Sequence, residues 1–337
     1  MNKHFDEMSE NDILEQLRNF DNESSSTIYN RNNIDDQIEN KKSITVAIIG
    51  LPNAGKSSLM NMIIGEKIAG VSSKVQTTRN AIRGIKIHNN VQIVFVDSPG
   101  VIKPNSVIDH FLSDATKRTM KEADLIIILM DIRSKNNENF QIIIDNISRY
   151  KNKEKILVIN KIDLYKEEKL KEEVELIKDK FSTYFQNIFE ISVTQNKGVE
   201  NLLDFLQLKA TQNGWMYPSD QISEAPMKFC AAEITREKLF ETMSLELPYS
   251  ILVDTDIYKD EPNLVTISQT IYVARQNHKS MVIGKNAQMI KNIGIQSRTE
   301  LESILGKKVN LLLHVKCKEN WTRNEHFIKN IIGFSGS

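Results

Sequence analysis

The chain has 337 residues, and its 44 lysines and arginines balance 44 aspartates and glutamates to a formal net charge of zero. This length suffices for about two domains, while a total of two cysteines excludes a disulfide framework and favours a reducing compartment. The longest apolar run, residues 125–130, is far shorter than the roughly 20 residues of a membrane span, so these totals predict a soluble cytoplasmic protein.

Charge is distributed unevenly along the chain. Residues 1–43 contain five basic and ten acidic side chains, whereas residues 275–316 contain eight basic and two acidic ones. Residues 1–42 are also rich in polar side chains and poor in large apolar ones, so they would bury too little surface to offset the entropy of ordering. We therefore predict a disordered acidic and polar extension over residues 1–42.

The next part of the chain, residues 43–212, alternates short apolar runs with charged, helix-periodic stretches. This alternation is typical of an α/β fold in which helices connect the strands of a doubly wound, mostly parallel sheet. Ligands of such sheets bind beyond the carboxyl ends of the strands. The predicted strands are residues 44–49, 91–96, 125–130, 156–159 and 188–191, and the predicted helices include residues 140–150 and 166–181.

Turn-forming residues dominate 213–226 and predict a linker to a second, smaller α+β domain over residues 227–337. In this domain, residues 232–243 and 286–304 have helical periodicity, the latter with a predicted break at Gly294. Predicted strands cover residues 251–256, 265–275 and 309–316, and a short helix is expected at the end of the chain.

The stretch GLPNAGKSS follows the first predicted strand and matches G-x-x-x-x-G-K-[ST], the motif of phosphate-binding loops. Backbone N–H groups of such a loop and the N-terminus of the following helix bind the anion. Lys56 would reach the outer phosphates, and the Ser57 hydroxyl would ligate Mg²⁺. The predicted nucleotide-binding residues of this loop are Gly50, Asn53, Ala54, Gly55, Lys56, Ser57 and Ser58.

The tetrapeptide DSPG, residues 97–100, follows the second predicted strand. By itself D-x-P-G is an ordinary turn, but its place after a phosphate loop and a buried strand favours a role at the nucleotide. Asp97 would then hold Mg²⁺ through a water molecule, and the Gly100 N–H would contact the γ-phosphate.

The stretch NKID, residues 160–163, follows the fourth predicted strand and indicates which base is bound. Guanine presents its N1–H and its 2-amino group side by side, and one carboxylate can accept both, whereas adenine offers a lone pair at N1. N-K-x-D also occurs by chance as a helix cap, but its position on the sheet favours GTP. The predicted base-site residues are Asn160, Lys161, Asp163 and, through their backbone, Ser192 and Val193.

Two features of the sequence concern hydrolysis. Many GTPases orient the attacking water with a glutamine directly after the D-x-x-G glycine, but this chain has Val101 there. Hydrolysis is therefore expected to be slow or to draw on another charge. The side-chain oxygen of Asn53 would bind a monovalent cation, preferably K⁺, beside the phosphates; the alternative is that Asn53 only braces the loop.

The polar segment 72–84 has the length of a loop that orders around a γ-phosphate. Within it, Thr78 is the first choice for a second Mg²⁺ hydroxyl ligand, and Thr77 is the alternative. The predicted catalytic residues are accordingly Asn53, Lys56, Thr78 and Gly100, and the predicted metal ligands are Ser57, Thr78 and Asp97 for Mg²⁺ and Asn53 for K⁺.

In the second domain, residues 284–287 (GKNA) form a G-x-x-G-like turn with alanine at the last position. Such a turn lets a nucleic-acid backbone approach a helix N-terminus and clamps about four nucleotides. If the last position has a positive φ, alanine costs about a kcal/mol, and if it lies in the helix, alanine is harmless. The alternative to RNA binding is a solvated basic face. The predicted RNA-binding residues are Arg275, Lys279, Lys285 and Lys291 for phosphates, Ile283 and Ile290 for bases, and Gly284, Asn286 and Ala287 of the turn.

The order and spacing of GLPNAGKSSLMN, QTTRN, DSPGV and NKID resemble the Era branch of the translation-factor-related GTPases. The stretches AEITREKLFETMSLELPYS and KSMVIGKNAQMIKNIG resemble the type II KH-type RNA-binding domain that follows the GTPase domain in that family. The resemblance covers the chain from residue 44 onward. It supports the K⁺ site, because members of this branch share a hydrophobic residue after D-x-P-G and a P-loop asparagine linked to potassium. Residues 1–42 depart from the family, whose members usually begin close to the first strand.

The resemblance implies a GTPase, with Mg²⁺ and K⁺ as cofactors, that binds the single-stranded 3′ end of 16S rRNA and acts in biogenesis of the 30S ribosomal subunit. We also expect a monomer, and the resemblance implies peripheral association with the inner membrane. Two other classes of function stay open: an RNA-binding protein whose affinity is gated by GTP, with incidental hydrolysis, and a membrane-surface regulatory GTPase. The latter needs a basic amphipathic helix, for which only the weakly basic residues 321–332 are available.

Overall fold

The computed structural model of the chain describes residues 41–70, 81–100, 107–243, 251–324 and 326–327. Most of the predicted N-terminal extension, and most of the predicted final helix, therefore lie outside the described residues. The first strand begins at Lys42, which pairs with Val91. Residue 42 thus belongs to the sheet and not to the predicted extension.

The first sheet has six strands among the described residues. They are β1 (Lys42–Gly50), β2 (Ile82–His88), β3 (Val91–Asp97), β4 (Leu125–Asp131), β5 (Glu154–Asn160) and β6 (Asn187–Glu190). Their order is β2-β3-β1-β4-β5-β6, and all neighbours are parallel except β2 and β3. The predicted mostly parallel sheet is confirmed, and the carboxyl ends of β1, β3, β4 and β5 meet at one edge.

Strand β2 is not among the five strands predicted from the sequence, and its first residues, 82–84, lie in the predicted polar loop. This strand, IRGIKIH, forms an antiparallel hairpin with β3. Asn89, with a φ of +55°, lies in the two-residue connection. An antiparallel pair needs only such a short turn. The apolar–polar alternation of residues 85–88 and the following Asn-Asn pair are the sequence signal for this hairpin.

Helices cover both faces of the first sheet, as a doubly wound fold requires. They are α1 (Lys56–Ile64), α2 (Val107–Glu122), α3 (Asn139–Ile147), α4 (Glu167–Phe181) and α5 (Val199–Lys209). Val46 and Ile48 of β1 share a core cluster with α1 and α5, whereas Ala47 and Ile49 share one with α2, α3 and α4. Across the described part of the chain, no helix is both long enough and apolar enough to span a membrane.

The predicted smaller α+β domain is also confirmed. Its strands are β7 (Ile251–Asp260), β8 (Leu264–Val273) and β9 (Lys308–Cys317), and its helices are α6 (Met227–Thr242), α7 (Gln276–Ile283) and α8 (Gln288–Leu305). Strand β8 is central, antiparallel to β7 and parallel to β9. Leu239, Val282 and Ile293, one from each helix, pack with Ile271 of β8 in a common core.

The predicted break at Gly294 is wrong, because α8 continues through this residue. A Cβ atom at Gly294 would lie 3.5 Å from Leu313 Cδ1 on β9, which is an ordinary contact distance. Glycine in a helix costs roughly 1 kcal/mol relative to alanine, and the packing of α8 against the sheet outweighs that cost. Glycine alone therefore does not predict a break in a helix that has a buried face.

The predicted linker follows an ordered path along the outer edge of the first sheet. Ser223 forms an antiparallel bridge with Gly84 of β2, and the Ile85 N–H donates to the Ile222 carbonyl oxygen at 2.8 Å. The Gln92 side chain of β3 accepts from the Tyr217 N–H at 2.9 Å and donates to the Tyr217 carbonyl oxygen at 2.8 Å. The segment is thus attached to the first sheet before it enters α6.

The two sheets are connected by an apolar cluster and by ion pairs. Leu112 of α2 packs with Leu252 of β7 and with Trp321, and all three side chains are buried. Lys67, which follows α1, donates to Glu237 of α6 at 2.7 Å. Helix α2 and the segment after α1 therefore contact the second domain directly.

Candidate nucleotide site and KH-type turn

The P-loop turns tightly between β1 and α1, and two glycines are required by close contacts. A Cβ atom at Gly50 would lie 2.4 Å from the Leu129 carbonyl oxygen of β4. Gly55 has a φ of +99°, and a Cβ there would lie 2.5 Å from Asn160 Nδ2. Asn53 also has a positive φ, of +63°, a conformation that asparagine tolerates better than most residues. The sequence motif therefore corresponds to a backbone shape that neighbouring strands enforce.

The Lys56 ammonium lies inside this loop. It donates to the carbonyl oxygens of Leu51 at 3.1 Å and Gly50 at 3.3 Å, and only 7% of the residue is exposed. Burial lowers the pKa of Lys56, and the charge of Asp97 opposes that shift. A desolvated ammonium of this kind has a strong electrostatic attraction for a phosphate oxygen.

Oxygen ligands suited to Mg²⁺ meet beside the loop. The Ser57 hydroxyl donates to Asp97 Oδ2 at 2.6 Å, and both residues are buried. A hydroxyl and a carboxylate are the hard oxygen ligands that Mg²⁺ prefers, so the donor set fits this ion. Ser58, the next predicted residue, is half-buried in the first turn of α1.

The D-x-P-G turn lies against the P-loop. The Ser98 hydroxyl donates to the Ile48 carbonyl oxygen at 2.9 Å, which ties the turn to β1. A Cβ atom at Gly100 would lie 3.1 Å from the Pro52 ring. The glycine therefore permits the close approach of this turn to the loop, and the predicted residues Asp97 and Gly100 are brought together with it.

Asn160 joins the P-loop to the segment that follows β6. Its Nδ2 donates to the Ala54 carbonyl oxygen at 2.9 Å, and its Oδ1 accepts from the Val193 N–H at 3.2 Å. Its side chain is buried. The Lys161 ammonium donates to the Asn53 carbonyl oxygen at 2.7 Å. The first two residues of the NKID motif thus hold the P-loop from the other side of β4.

Asp163 and Ser192 form the remaining part of the base motif. Asp163 Oδ1 accepts from the Ser192 hydroxyl at 2.5 Å, and this hydrogen bond lowers the pKa of Asp163. The carboxylate is half-buried and ionised at neutral pH. Its position next to residues 192–193 brings the five predicted base-site residues together at the carboxyl edge.

Sequence reasoning missed Asp131, the last residue of β4. Its carboxylate accepts from Arg133 Nη2 at 2.6 Å and from Lys161 Nζ at 2.8 Å, and 7% of the residue is exposed. The signal was present, because an acidic residue directly follows the predicted strand 125–130, which lies between two predicted strands that end in nucleotide motifs.

Three predicted positions lie outside the described residues. They are Thr78, its alternative Thr77, and Val101 in the place of the usual glutamine. Their roles stay predictions.

Three residues of the G-x-x-G-like turn have a positive φ. Gly284 has a φ of +73°, Asn286 of +50° and Ala287 of +58°. A Cβ atom at Gly284 would lie 2.6 Å from Met289 Cβ, so glycine is required there. Helix α8 begins at Gln288, and Ala287 therefore has the left-handed conformation in which alanine is strained.

The predicted RNA-binding side chains are not equally accessible. Arg275, Lys285 and Lys291 are exposed, while Lys279 and Ile283 are half-buried. Ile290 is also half-buried, and it packs against the core formed by α6, α7, α8 and the sheet. Part of its apolar surface is used in the fold, and its contact with splayed bases stays a prediction.

Comparisons with protein families agree with the two parts of the structure. A family model described as a 50S ribosome-binding GTPase matches residues 45–161, and one described as a KH domain matches residues 246–322. Together with the P-loop, the base motif and the two sheets, these matches define the class of protein: a P-loop GTPase that carries a C-terminal KH domain.

Curated relatives extend over most of the chain. It is 40% identical over 291 residues to GTPase Era of Ehrlichia ruminantium (strain Gardel), which is 86% of this chain and 96% of the relative. It is 43% identical over 277 residues to GTPase Era of Agrobacterium fabrum, which is 82% of this chain and 86% of the relative. The chain belongs to the GTPase Era family, and it is a GTPase.

Two solved structures of Era proteins have a similar fold. A crystal structure of Era in complex with MgGDPNP and nucleotides 1506–1542 of 16S ribosomal RNA aligns with a TM-score of 0.82, 34% identity, and coverage of 86% of this chain and 98% of that one. A crystal structure of an Aquifex aeolicus Era variant bound to GDP·AlF4⁻ aligns with a TM-score of 0.81, the same identity and the same coverage. Alignments of this length include both sheets.

The left-handed conformation of Ala287 predicts that Ala287→Gly stabilises the protein. Glycine removes a Cβ strain of about 1–2 kcal/mol and adds a smaller entropy cost, so the free energy of unfolding is expected to rise by about 1 kcal/mol. Urea denaturation followed by circular dichroism measures the change.

Ala115→Gly provides the matched control, because Ala115 lies inside α2, where glycine costs roughly 1 kcal/mol. The two substitutions are therefore expected to have opposite signs. A loss of stability in both variants would contradict the strained conformation of Ala287.

Proposed function

We propose that this chain is a GTP-hydrolysing assembly factor that binds the 3′ end of 16S rRNA and acts in biogenesis of the 30S ribosomal subunit. The observation that carries this proposal is the presence, in one chain, of an assembled P-loop site and a KH-type turn. It is supported by 34% identity over 86% of the chain to an Era protein crystallised with MgGDPNP and 16S rRNA. We assign residues 43–212, together with Lys42 of β1, to the GTPase domain, 213–226 to the linker and 227–337 to the KH-type domain.

In the proposed nucleotide site, GTP lies across the carboxyl edge of the first sheet. The N–H groups of the P-loop and the N-terminus of α1 bind the phosphates. Lys56 contacts the outer phosphates, and the Gly100 N–H contacts the γ-phosphate. Asp163 accepts from the guanine ring, with the backbone of residues 192–193 near O6.

Mg²⁺ is the metal that this site is proposed to hold when GTP is bound. Ser57 supplies its hydroxyl, Asp97 is linked through water, and Thr78 is assigned as the second hydroxyl. The ion neutralises charge that develops on the phosphate oxygens. The contact between Ser57 and Asp97 at 2.6 Å supports the assignment, because it brings the two oxygen ligands to one point.

We further propose that Asn53 binds K⁺ beside the phosphates and so provides positive charge in the absence of a water-orienting glutamine. Asn53 is exposed in the loop, and the hydrogen bond from Lys161 to its carbonyl oxygen holds its backbone in place. A fixed cation at this point would stabilise the charge of the transition state.

The RNA is proposed to lie along the turn at residues 284–287, with phosphates near Arg275, Lys279, Lys285 and Lys291 and apolar contact at Ile283.

By likeness to the family, we also propose that the protein is a monomer and that it associates peripherally with the inner membrane. Light scattering would test the oligomeric state, and vesicle flotation would test the membrane association. A protein in which GTP only gates RNA affinity is the second candidate. Stimulation of GTP turnover by the RNA would favour the assembly factor, and nucleotide-dependent affinity without stimulation would favour the second candidate.

Asp163→Asn is expected to exchange guanine for xanthine specificity. Xanthine has a carbonyl in place of the 2-amino group, so the asparagine amide can donate to it while its oxygen accepts the N1–H. We expect GDP affinity to fall on the order of 10²-fold or more and XDP affinity to rise, measured by displacement of a fluorescent nucleotide. The control is Asp179→Asn on the exposed side of α4, and retained GDP preference in Asp163→Asn would contradict the base-site assignment.

GTP turnover is expected to be about tenfold faster in K⁺ than in Na⁺ at equal ionic strength, which corresponds to ~1.4 kcal/mol of transition-state stabilisation. Asn53→Ala should lose this difference while it retains GDP binding. Phosphate release assays measure both rates. Equal rates in the two salts, or a K⁺ response that survives in Asn53→Ala, would contradict the K⁺ site.

Lys285→Glu in the full chain is expected to weaken binding to an RNA of the 16S 3′ end by at least about tenfold and to reduce its salt dependence. The matched control is Lys259→Glu, an exposed lysine paired with Glu261. It lies opposite Thr266, roughly 24 Å along β8 from Val273, where the chain leaves the sheet towards α7 and the turn. Fluorescence anisotropy with a scrambled RNA completes the test. Unselective binding, or equal losses in both variants, would identify the turn as a solvated basic face.

A further inference from the structure

A buried carboxylate lies between the two halves of the nucleotide site. Asp131 ends β4, which pairs with β1 on one side and with β5 on the other. In the register of these strands, Gly50 is opposite Leu129 and Asn160 is opposite Asp131. The P-loop and the base motif therefore begin on either side of this carboxylate.

The Lys161 ammonium connects the carboxylate to the P-loop. It lies 2.8 Å from Asp131 Oδ2 and donates to the Asn53 carbonyl oxygen at 2.7 Å. Lys161 itself has a left-handed backbone conformation, with a φ of +67°. A lysine side chain has many rotamers, and the two oxygens together select the one that reaches the loop.

This contact has a consequence for the shape of the P-loop. Because a trans peptide is planar, fixing a carbonyl oxygen also fixes the direction of the N–H on the other side of the bond. Lys161 fixes the Asn53 carbonyl, and the N–H of the same peptide closes a turn on the Leu51 carbonyl oxygen at 3.3 Å. Asn160 fixes the next carbonyl, that of Ala54.

We propose that Asp131 is a positioning residue for GTP binding, which acts through Lys161 to hold the P-loop in its anion-binding conformation. The inference rests on the proposed nucleotide site. Asp131 does not touch the nucleotide in this arrangement. Its removal frees the Lys161 side chain, and the loop must then be ordered at the expense of the free energy of nucleotide binding.

The charge state of Asp131 is constant over the range in which the enzyme would be assayed. Burial alone would raise its pKa, but hydrogen bonds from Arg133 and Lys161 hold the pKa at about 2. A depressed pKa means that the stabilising contribution is complete above the unfolded value of about 4 and is lost as the pH falls towards 2. Removal of the carboxylate is therefore expected to lower nucleotide affinity by the same factor at pH 6 and at pH 8.

The test uses Asp131→Asn in the full chain, since asparagine keeps the size of the side chain and removes its charge. We expect about tenfold weaker binding of both GDP and GTP and a similar rise in KM. The kcat should change less than about threefold, because the P-loop binds the phosphates equally in the substrate complex and in the transition state. Guanine preference over adenine should persist, since Asp163 is unchanged.

Two further variants identify the route of the effect. Lys161→Ala should weaken binding at least as much, because it also removes the hydrogen bond to the Asn53 carbonyl oxygen. The double variant should bind nucleotide about as weakly as Lys161→Ala, because both changes break the contact between Asp131 and Lys161. Arg133→Ala leaves the contact to Lys161 in place, and Arg133 is 56% exposed, so it should change KM less than about threefold. If Arg133→Ala reproduces Asp131→Asn, or if the Asp131 and Lys161 effects add in full, the proposal is wrong.

Glu154→Gln is the matched control, because it breaks a 2.8 Å ion pair with Lys209 at the opposite end of β5. It should leave nucleotide affinity unchanged. A thermal melt separates stability from binding, and an Asp131→Asn variant that melts earlier but keeps wild-type KM would overturn the positioning role. Failure of the wild-type chain to bind GDP would instead count against the proposed nucleotide site.

Discussion

The nucleotide site depends on a small set of hydrogen bonds that cross the carboxyl edge of the first sheet. Asn160 Nδ2 and Lys161 Nζ donate to two successive P-loop carbonyl oxygens, at 2.9 and 2.7 Å. These residues follow β5 and the loop follows β1, so the side chains reach across β4, over roughly 10 Å of sheet. Asn160 Oδ1 also accepts from the Val193 N–H. The phosphate and base regions are consequently one hydrogen-bonded unit, and a change on one strand alters the site on the others.

The same elements lead from the nucleotide site to the KH domain. Helix α1 begins at Lys56, and the loop after it places Lys67 against Glu237 of α6 and Glu300 of α8. Lys238 of α6 also contacts Glu300. Burial lowers the pKa of Lys238, but hydrogen bonds to Glu300 and Glu241 raise it overall, so Lys238 keeps its charge at neutral pH. Partly exposed ion pairs of this kind contribute little individually. The buried apolar contact between α2, β7 and Trp321 adds an attraction that is non-directional and scales with the area buried.

At two residues, tertiary contacts decide a local conformation that the sequence alone does not. At Ala287 the sequence leaves two conformations open, one strained and one harmless, and the first residue of α8 decides between them: the helix begins at Gln288, one position later. At Gly294 the opposite occurs, because helix packing overrides a residue that often ends helices. In both cases the position and the packing of α8 decide the conformation, and these depend on residues far away in the chain.

The sequence by itself determined the fold class and the position of the nucleotide-binding motifs at the ends of the strands. Apolar runs that end in GLPNAGKSS, DSPG and NKID predict parallel strands, and parallel strands bring their carboxyl ends to one edge whatever the details of packing. Only the tertiary structure revealed the hydrogen bonds of Asn160 to the P-loop, the contact of Asp131 with Lys161 and the left-handed conformation of Ala287. Each of these depends on distances between residues that are remote in sequence, such as the 2.8 Å between Asp131 and Lys161. Local sequence patterns determine the hydrophobic periodicity of the helices and strands and the residues at which they end. The contacts between those ends depend on the order of the strands in the sheet.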